Sequence, residues 1–105
     1  MGISKHTPGP WIVCTPSDST DYLCIEEDSQ LVGEASTIAE VNLGGEGISE
    51  QIGSANARLI AAAPELLEVL YECKSFLETQ KEFGLDVPEL DHVRAVIAKA
   101  KGKVR

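Results

Sequence analysis

The spacing of apolar residues changes once along this chain, near Ser49, and that change limits the fold more than any other feature. Before it, short runs of β-branched and aromatic residues are separated by turn-forming residues, as is typical of strands. After it, apolar residues recur every three or four positions, as on one face of a helix. The chain is therefore predicted to be an α+β protein, with a small antiparallel sheet of three to four strands in its N-terminal half packed against two to three C-terminal helices.

The β-rich part, about residues 6–48, is predicted to begin with a hairpin that turns at Pro16. The predicted strands are 11–15, 22–26, one within 36–43 and a short additional one near Leu31–Val32. The glycine-rich stretch 44–47 precedes a helix, as a phosphate-binding loop would, but it lacks both common phosphate-loop spacings. It is predicted to be a flexible loop.

Three helices are predicted between about residues 49 and 102. Since Gly53 weakens the start of the first helix, its stable part is predicted to begin with Ser54 as the N-cap. Pro64 ends that helix and begins the second, which is predicted to pack against the sheet and to end at Gly84. The buried face of the second helix is predicted to carry Leu66, Leu70, Cys73 and Leu77, and to be widened by Leu67 and Tyr71.

The third helix is predicted to open with a capping box and to end at Gly102. In that box the Asp86 side chain accepts a hydrogen bond from a first-turn amide, and the Glu89 side chain reaches back to the backbone amide of the N-cap residue. The buried stripe of this helix is predicted to consist of Leu90, Val93, Ile97 and Ala100.

Length and composition predict one domain, 1–105, because 105 residues suffice for a single shared core. A cytoplasmic location and no membrane association are expected, since no apolar run is long enough to cross a bilayer and Met1–Thr7 lacks a secretory signal. The three cysteines are predicted to be buried free thiols, with a bridge between Cys14 and Cys24 left open as an alternative.

Charge is unevenly distributed in a chain whose formal net charge is −8. Between His6 and Asn56 there are nine acidic residues and no Lys or Arg, whereas after Asp91 all charged residues are basic. The acidic half should repel duplex nucleic acid, so duplex nucleic acid is not an expected partner. It is interpreted either as a solvated surface or as a functional surface, which would be a contact face for a basic protein or a mimic of nucleic-acid charge. The basic end is interpreted as a helix C-terminus that complements its own dipole, with a nucleic-acid contact as the alternative.

No catalytic motif occurs, and the two histidines, His6 and His92, have no neighbouring ligands at metal spacing, so no metal or cofactor is expected. On a helix beside the acidic half, Arg58 either pairs with a strand carboxylate or forms, with Asn56, a polar pocket for a small anionic ligand. The candidate ligand or partner contacts are His6, Trp11, Glu26, Glu27, Asp28, Asn56 and Arg58.

Two segments resemble a widespread set of small phage and prophage proteins. These are 6–11, which reads HTPGPW, and 56–68, which reads NARLIAAAPELLE. Members of the set begin near an HTPGPW element and carry a NARLIAAAPELLEAL-like helical run. The second segment is also similar to the tail of the Ead/Ea22-like phage proteins, although Val69 stands where alanine is usual. The direct resemblance covers roughly a fifth of the chain.

The resemblance implies a phage or prophage accessory protein. By analogy with other small acidic phage proteins, it implies a non-enzymatic protein that binds a host protein with a basic surface or a small signalling ligand, as a counter-defence inhibitor would. Two alternatives stay open. One is a small hydrolase-type enzyme with a site between sheet and helices that uses His6 or a cysteine. The other is a homo-oligomeric protein whose copies cover one another's apolar or edge-strand surface.

Overall fold

The computed structural model describes residues 6–28, 36–44 and 49–103. In chain order it contains strands β1 (Trp11–Cys14), β2 (Tyr22–Glu27) and β3 (Thr37–Asn42), then helices α1 (Glu50–Ala61), α2 (Ala63–Glu82) and α3 (Glu89–Ala100). This order confirms the predicted α+β fold class. The short strand near Leu31–Val32 and loop positions 45–47 lie outside the described residues. Two compact units are formed, Met1–Pro64 and Glu65–Arg105.

The sheet is an antiparallel meander in the order β1-β2-β3. In the predicted hairpin of β1 and β2, Cys14 lies directly opposite Cys24. Between β2 and β3 the register shifts, because Ile25 pairs with Ala39 while Glu26 pairs with Thr37. One residue of β3, Ile38, is thereby left as the extra residue of a β-bulge.

Helix α1 packs on one face of this sheet and closes the core of the first unit. Ile25 and Ala57 are fully buried there, and Val41 is 8% exposed. Partly buried side chains surround them, namely Trp11, Leu23, Ile38, Ala39 and Ala61. The core is therefore small and built from aliphatic side chains around one tryptophan.

The start of α1 corrects one prediction. Ser49, not Ser54, is the N-cap, since its hydroxyl oxygen accepts a hydrogen bond from the Ile52 amide at 3.2 Å. Gly53 lies inside the helix and is buried, because α1 there passes close to Asn42 and Leu43 at the end of β3. The glycine that suggested a weak helix start instead permits a close approach of helix and strand.

In the second unit, α2 ends in the glycine cap predicted for it. Gly84 has φ of 85°. Its amide donates to the Lys81 carbonyl at 2.9 Å, and the Leu85 amide donates to the Gln80 carbonyl at 3.2 Å. This pair of bonds is a Schellman motif. Its presence confirms that local sequence determines where α2 ends.

The predictions for the two ends of α3 had different outcomes. The prediction of an Asp86 cap was wrong: Pro88 is the N-cap residue, without a side-chain hydrogen bond, and the Leu90 amide instead donates to the Val87 carbonyl at 3.0 Å. The predicted end at Gly102 is confirmed, since Gly102 has φ of 80°. The Lys103 amide closes a second Schellman pair by donating to the Ala98 carbonyl at 2.9 Å.

Helices α2 and α3 form an antiparallel pair. The Arg94 guanidinium donates to the Glu78 carboxylate at 3.1 Å, and the Lys101 ammonium lies 5.3 Å from the centroid of the Tyr71 ring. Ile97, which lies between these two contact positions, and Leu90, one turn before Arg94, are both buried. Lys101, which belongs to the basic C-terminal end, therefore makes a contact within this helix pair. This contact fits the interpretation of the basic end as a helix terminus.

The buried faces predicted for these helices were partly wrong. Leu70 and Leu77 of α2 are half-buried, but Leu66 and Cys73 are exposed, and so is Ala100 of α3. The side of α2 that carries Tyr71 and Glu78 lies against α3, and Leu66 and Cys73 lie outside that side. Across 6–28, 36–44 and 49–103, no helix is both long and apolar enough to cross a bilayer.

Candidate functional site

The face of the sheet opposite α1, here called the outer face, carries the polar side chains of the strands. Successive side chains of a strand point to opposite faces, so Leu23 and Ile25 point toward α1 while their neighbours point away. Directly paired residues share a face. The outer face therefore carries Ile12, Cys14, Tyr22, Cys24, Glu26, Thr37, Glu40 and Asn42.

A row of two thiols and a carboxylate crosses the middle of the outer face. Cys14 pairs with Cys24, which pairs in turn with Glu40. Both cysteines are reduced thiols in this structure. Burial raises the pKa of Cys14 most, and its hydrogen bond to the nearby Glu26 carboxylate raises it further. Burial also raises the pKa of Cys24, with smaller contributions from the charges of Glu26 and Glu40.

Tyr22 lies on the same face and experiences the same negative field. The Asp18 carboxylate, in the loop between β1 and β2, is the main cause that raises the pKa of the Tyr22 phenol, and the Glu40 charge adds to it. The pKa values of the phenol and of both outer-face thiols are thus raised. A thiol must ionise to act as a nucleophile, so Cys14 and Cys24 are poorly suited to that role at neutral pH.

Several predicted contact residues lie together at the end of the sheet where β1 begins. The Trp11 indole N–H donates to the Thr7 carbonyl at 3.1 Å, and the exposed His6 ring meets the Trp11 ring edge-on, with centroids 6.2 Å apart. Trp11 is paired with Glu27 across the strands. The Asp28 amide donates to the Pro10 carbonyl at 3.2 Å, which brings Asp28 to the same end.

Glu26 belongs to the outer face instead. Its side chain accepts a hydrogen bond from the Thr37 hydroxyl at 3.4 Å, across the β2–β3 pair. The consecutive acidic residues 26–28 are therefore divided between two surfaces, because alternation along β2 sends Glu26 and Glu27 to opposite faces.

Asn56 and Arg58 do not form one pocket. Asn56 lines a shallow depression of ≈400 Å³ together with Glu40, whereas Arg58 lines a separate one of ≈410 Å³ with Glu50. Among the residues that the structure describes, the predicted ion pair of Arg58 with a strand carboxylate is not formed either. In the described ranges, the ion pairs are those of Arg94 with Glu78 and, at 4.0 Å, with Asp91.

A metal centre is not formed by the described part of the chain, where no three His, Cys, Asp or Glu side chains are grouped so that they could hold an ion. His92 is exposed on α3, whereas His6 contacts Trp11.

The sequence prediction missed Asp18, Tyr22 and Glu40 as parts of this surface. One signal was present: alternation along β2 places Tyr22, Cys24 and Glu26 on one side. The row from Cys14 to Glu40 could not be found in that way, because it depends on the register between three strands, and the bulge at Ile38 is part of that register.

Fold and site together define a small α+β protein whose sheet carries thiols and carboxylates on the face away from its helix. The chain belongs to the Salmonella phage P22 protein Y8K6 family, whose model matches residues 1–104. Membership confirms the predicted relation to small phage proteins. No curated protein and no solved structure matches the chain.

Proposed function

We propose that this protein is a non-enzymatic phage accessory protein that binds a basic surface of a host protein through the outer face of its sheet. The observation that carries the proposal is the negative field on that face, which is the main cause that raises the pKa of Tyr22 and which adds to the larger effect of burial on the pKa of both thiols. In the sequence no Lys or Arg lies between His6 and Asn56 to offset it. A partner that presents Lys and Arg side chains complements such a field and is steered toward it.

The acidic residues of this face come from three parts of the chain. Asp18 belongs to the loop between β1 and β2, Glu26 to β2 and Glu40 to the edge strand β3. Asp18 and Glu40 are exposed, whereas Glu26 is half-buried and hydrogen-bonded to Thr37. Carboxylates held on a rigid sheet, as Glu26 and Glu40 are, are pre-organised for contact, which lowers the entropic cost of binding.

Binding is favoured over a hydrolase-type activity because Cys14 and Cys24 lack the features of an activated nucleophile. Their pKa values are raised rather than lowered, and the neighbouring group is the Glu26 carboxylate, which disfavours the thiolate. The exposed His6 packs edge-on against Trp11 at the end of the sheet. Among the described cysteines, the pair on the outer face is thus held in its protonated, less reactive form.

A protein partner is favoured over a small anionic signalling ligand for a related reason. Each depression that contains Asn56 or Arg58 also contains a carboxylate, Glu40 in one and Glu50 in the other. Those charges oppose an anion. If the host partner belongs to a defence system, the protein acts as a counter-defence inhibitor in the host cytosol.

The experiment compares capture of host proteins by the wild type and by a variant with Asp18→Asn, Glu26→Gln and Glu40→Gln. Wild type is expected to retain a basic host protein from lysate, with capture that weakens as salt is added. The variant should capture that protein roughly tenfold less well, since the complementary charge is removed. Phage challenge of a host that expresses each form provides a second readout.

The matched control removes one Asp and two Glu from exposed positions elsewhere, by Glu68→Gln, Glu82→Gln and Asp86→Asn. It changes the net charge equally and should capture the host protein as wild type does. Equal loss in both variants would show that total charge, not the outer face, drives binding. A wild type that retains no host protein and has no effect on phage challenge would contradict the proposal.

A further inference from the structure

Helix α2 and the turn that follows it carry a row of residues with a coiled-coil spacing, and all of them except the half-buried Gln80 are exposed. The row, here called the heptad stripe, consists of Leu66, Val69, Cys73, Phe76, Gln80 and Phe83. Its positions are separated alternately by three and four residues, as are the a and d positions of a heptad repeat. Phe83 continues the helical path beyond α2, since its amide donates to the Thr79 carbonyl at 3.3 Å.

The apolar members of the stripe are strongly exposed. Leu66 and Val69 are 48% and 53% exposed, Phe76 is 63% exposed and Phe83 is 79% exposed. Two exposed phenylalanines in line with two aliphatic side chains on one helix form a contiguous apolar surface, which in soluble proteins commonly marks an interaction site. Single exposed apolar residues that are scattered over a surface are common and do not indicate an interaction site.

The stripe is distinct from the side of α2 that contacts α3. That contact side carries Tyr71 and Glu78, which meet Lys101 and Arg94. With 3.6 residues per turn, the centre of the stripe lies roughly 180° around the helix axis from the midpoint between Tyr71 and Glu78. Packing within the α2–α3 pair therefore leaves the stripe available.

We infer that the heptad stripe is the dimer interface of this protein, occupied by the same stripe of a second copy in antiparallel orientation. A two-fold axis gives both copies the same surface patch, so the patch must be self-complementary. The alternating spacing is symmetric about its midpoint, between Lys74 and Ser75. In an antiparallel pair it places Leu66 opposite Phe83 of the partner subunit and Cys73 opposite Phe76 of the partner subunit.

Charge along α2 favours the antiparallel orientation. Between Leu59 and Cys73 the sequence contains three glutamates and no Lys or Arg, whereas 74–83 contains two lysines and two glutamates. A parallel pair would align the two acidic halves, where like charges repel. An antiparallel pair places each acidic half beside the half that carries Lys74 and Lys81, and it also opposes the two helix dipoles.

The area of the stripe is adequate for a modest homodimer. A buried aromatic side chain contributes about 150–250 Å², and each copy supplies Phe76 and Phe83 together with two aliphatic side chains. Across both copies, with the flanking helix surface, roughly 1,200 Å² becomes buried, which is near the lower bound of specific interfaces. A concentration-dependent equilibrium between monomer and dimer follows from that size.

The first test measures the mass of the full chain by sedimentation equilibrium over a wide concentration range. Wild type should dimerise, and Phe76→Glu should weaken dimerisation at least about thirtyfold because a central aromatic contact is replaced by a charge. The matched control is Leu59→Glu on α1, because Leu59 is 64% exposed and lies outside the stripe. It should dimerise as wild type does. A monomeric wild type, or equal loss in both variants, would overturn the inference.

The second test determines orientation by disulfide trapping in a Cys73→Ser background. Leu66→Cys and Phe83→Cys proteins are mixed and exposed to oxidised glutathione, which accepts the electrons as the two thiols form a disulfide. In the antiparallel dimer positions 66 and 83 of opposite copies adjoin, so the mixed disulfide should form. Efficient self-linking of the Leu66→Cys protein would instead show a parallel pair and overturn the proposed arrangement.

Discussion

At the scale of single residues, Gly53 determines how closely α1 can approach the sheet. A Cβ built on it would collide with the Asn42 carbonyl oxygen and lie 2.9 Å from Leu43 Cδ2. Gly→Ala inside a helix ordinarily stabilises by about 0.5–1 kcal/mol. Here the obstacle is backbone, which cannot rotate away, so Gly53→Ala is expected to lower the free energy of unfolding by about 1–3 kcal/mol. Urea unfolding followed by Trp11 fluorescence measures this.

The control for that substitution is Gly44→Ala. A Cβ at Gly44 would meet no atom within 4 Å, and its φ is not positive. The free energy of unfolding should then change little. A Gly53→Ala protein as stable as wild type would mean that α1 does not approach β3 as closely as described. Sequence alone gave the opposite interpretation of Gly53, because helix propensity reports the cost of glycine within a helix and carries no information on what lies beside it.

At the scale of elements, the cap of α1 gives a second prediction. The Ser49 hydroxyl satisfies the Ile52 amide, one of the four amides that a helix start leaves without a partner. Ser49→Ala should therefore lower the free energy of unfolding by about 1 kcal/mol. Ser75→Ala, at an exposed position within α2, is the matched control and should be neutral or slightly stabilising. Thermal or urea unfolding of both variants would show no difference if the cap were unimportant.

Helix ends and helix faces differed in how far the sequence could predict them. The ends at Gly84 and Gly102 were predictable, since a positive φ and two backbone bonds involve residues only five apart. The buried face of α2 was not. Apolar residues occur around much of its circumference, at Val69 and Phe76 on one side and Leu67 and Leu70 on another. Which side becomes buried depends on where α3 packs, and that information is not local.

At the scale of the whole molecule, the candidate site shows the same division between local and non-local information. The excess of acidic residues before Asn56 is visible in the sequence, and so is the alternation along β2. The convergence of Asp18, Glu26 and Glu40 on one sheet face is not, because it requires the register of β1, β2 and β3. A one-residue slip of β3 against β2 would send Glu40 to the opposite face.

The prediction of one domain, 1–105, can be tested by unfolding with two probes. The largest fully buried side chains are Ile25 in the first unit and Leu90 in the second, so each unit has a small core of its own. Cores of that size rarely supply more than about 3–5 kcal/mol, which argues that neither unit is stable alone.

Trp11 fluorescence reports on the first unit, whereas helical ellipticity arises largely from α2 and α3. At a fixed protein concentration both signals should give one midpoint in urea, as expected for a two-state transition. Two separated midpoints would instead show that the chain contains two independently folding domains.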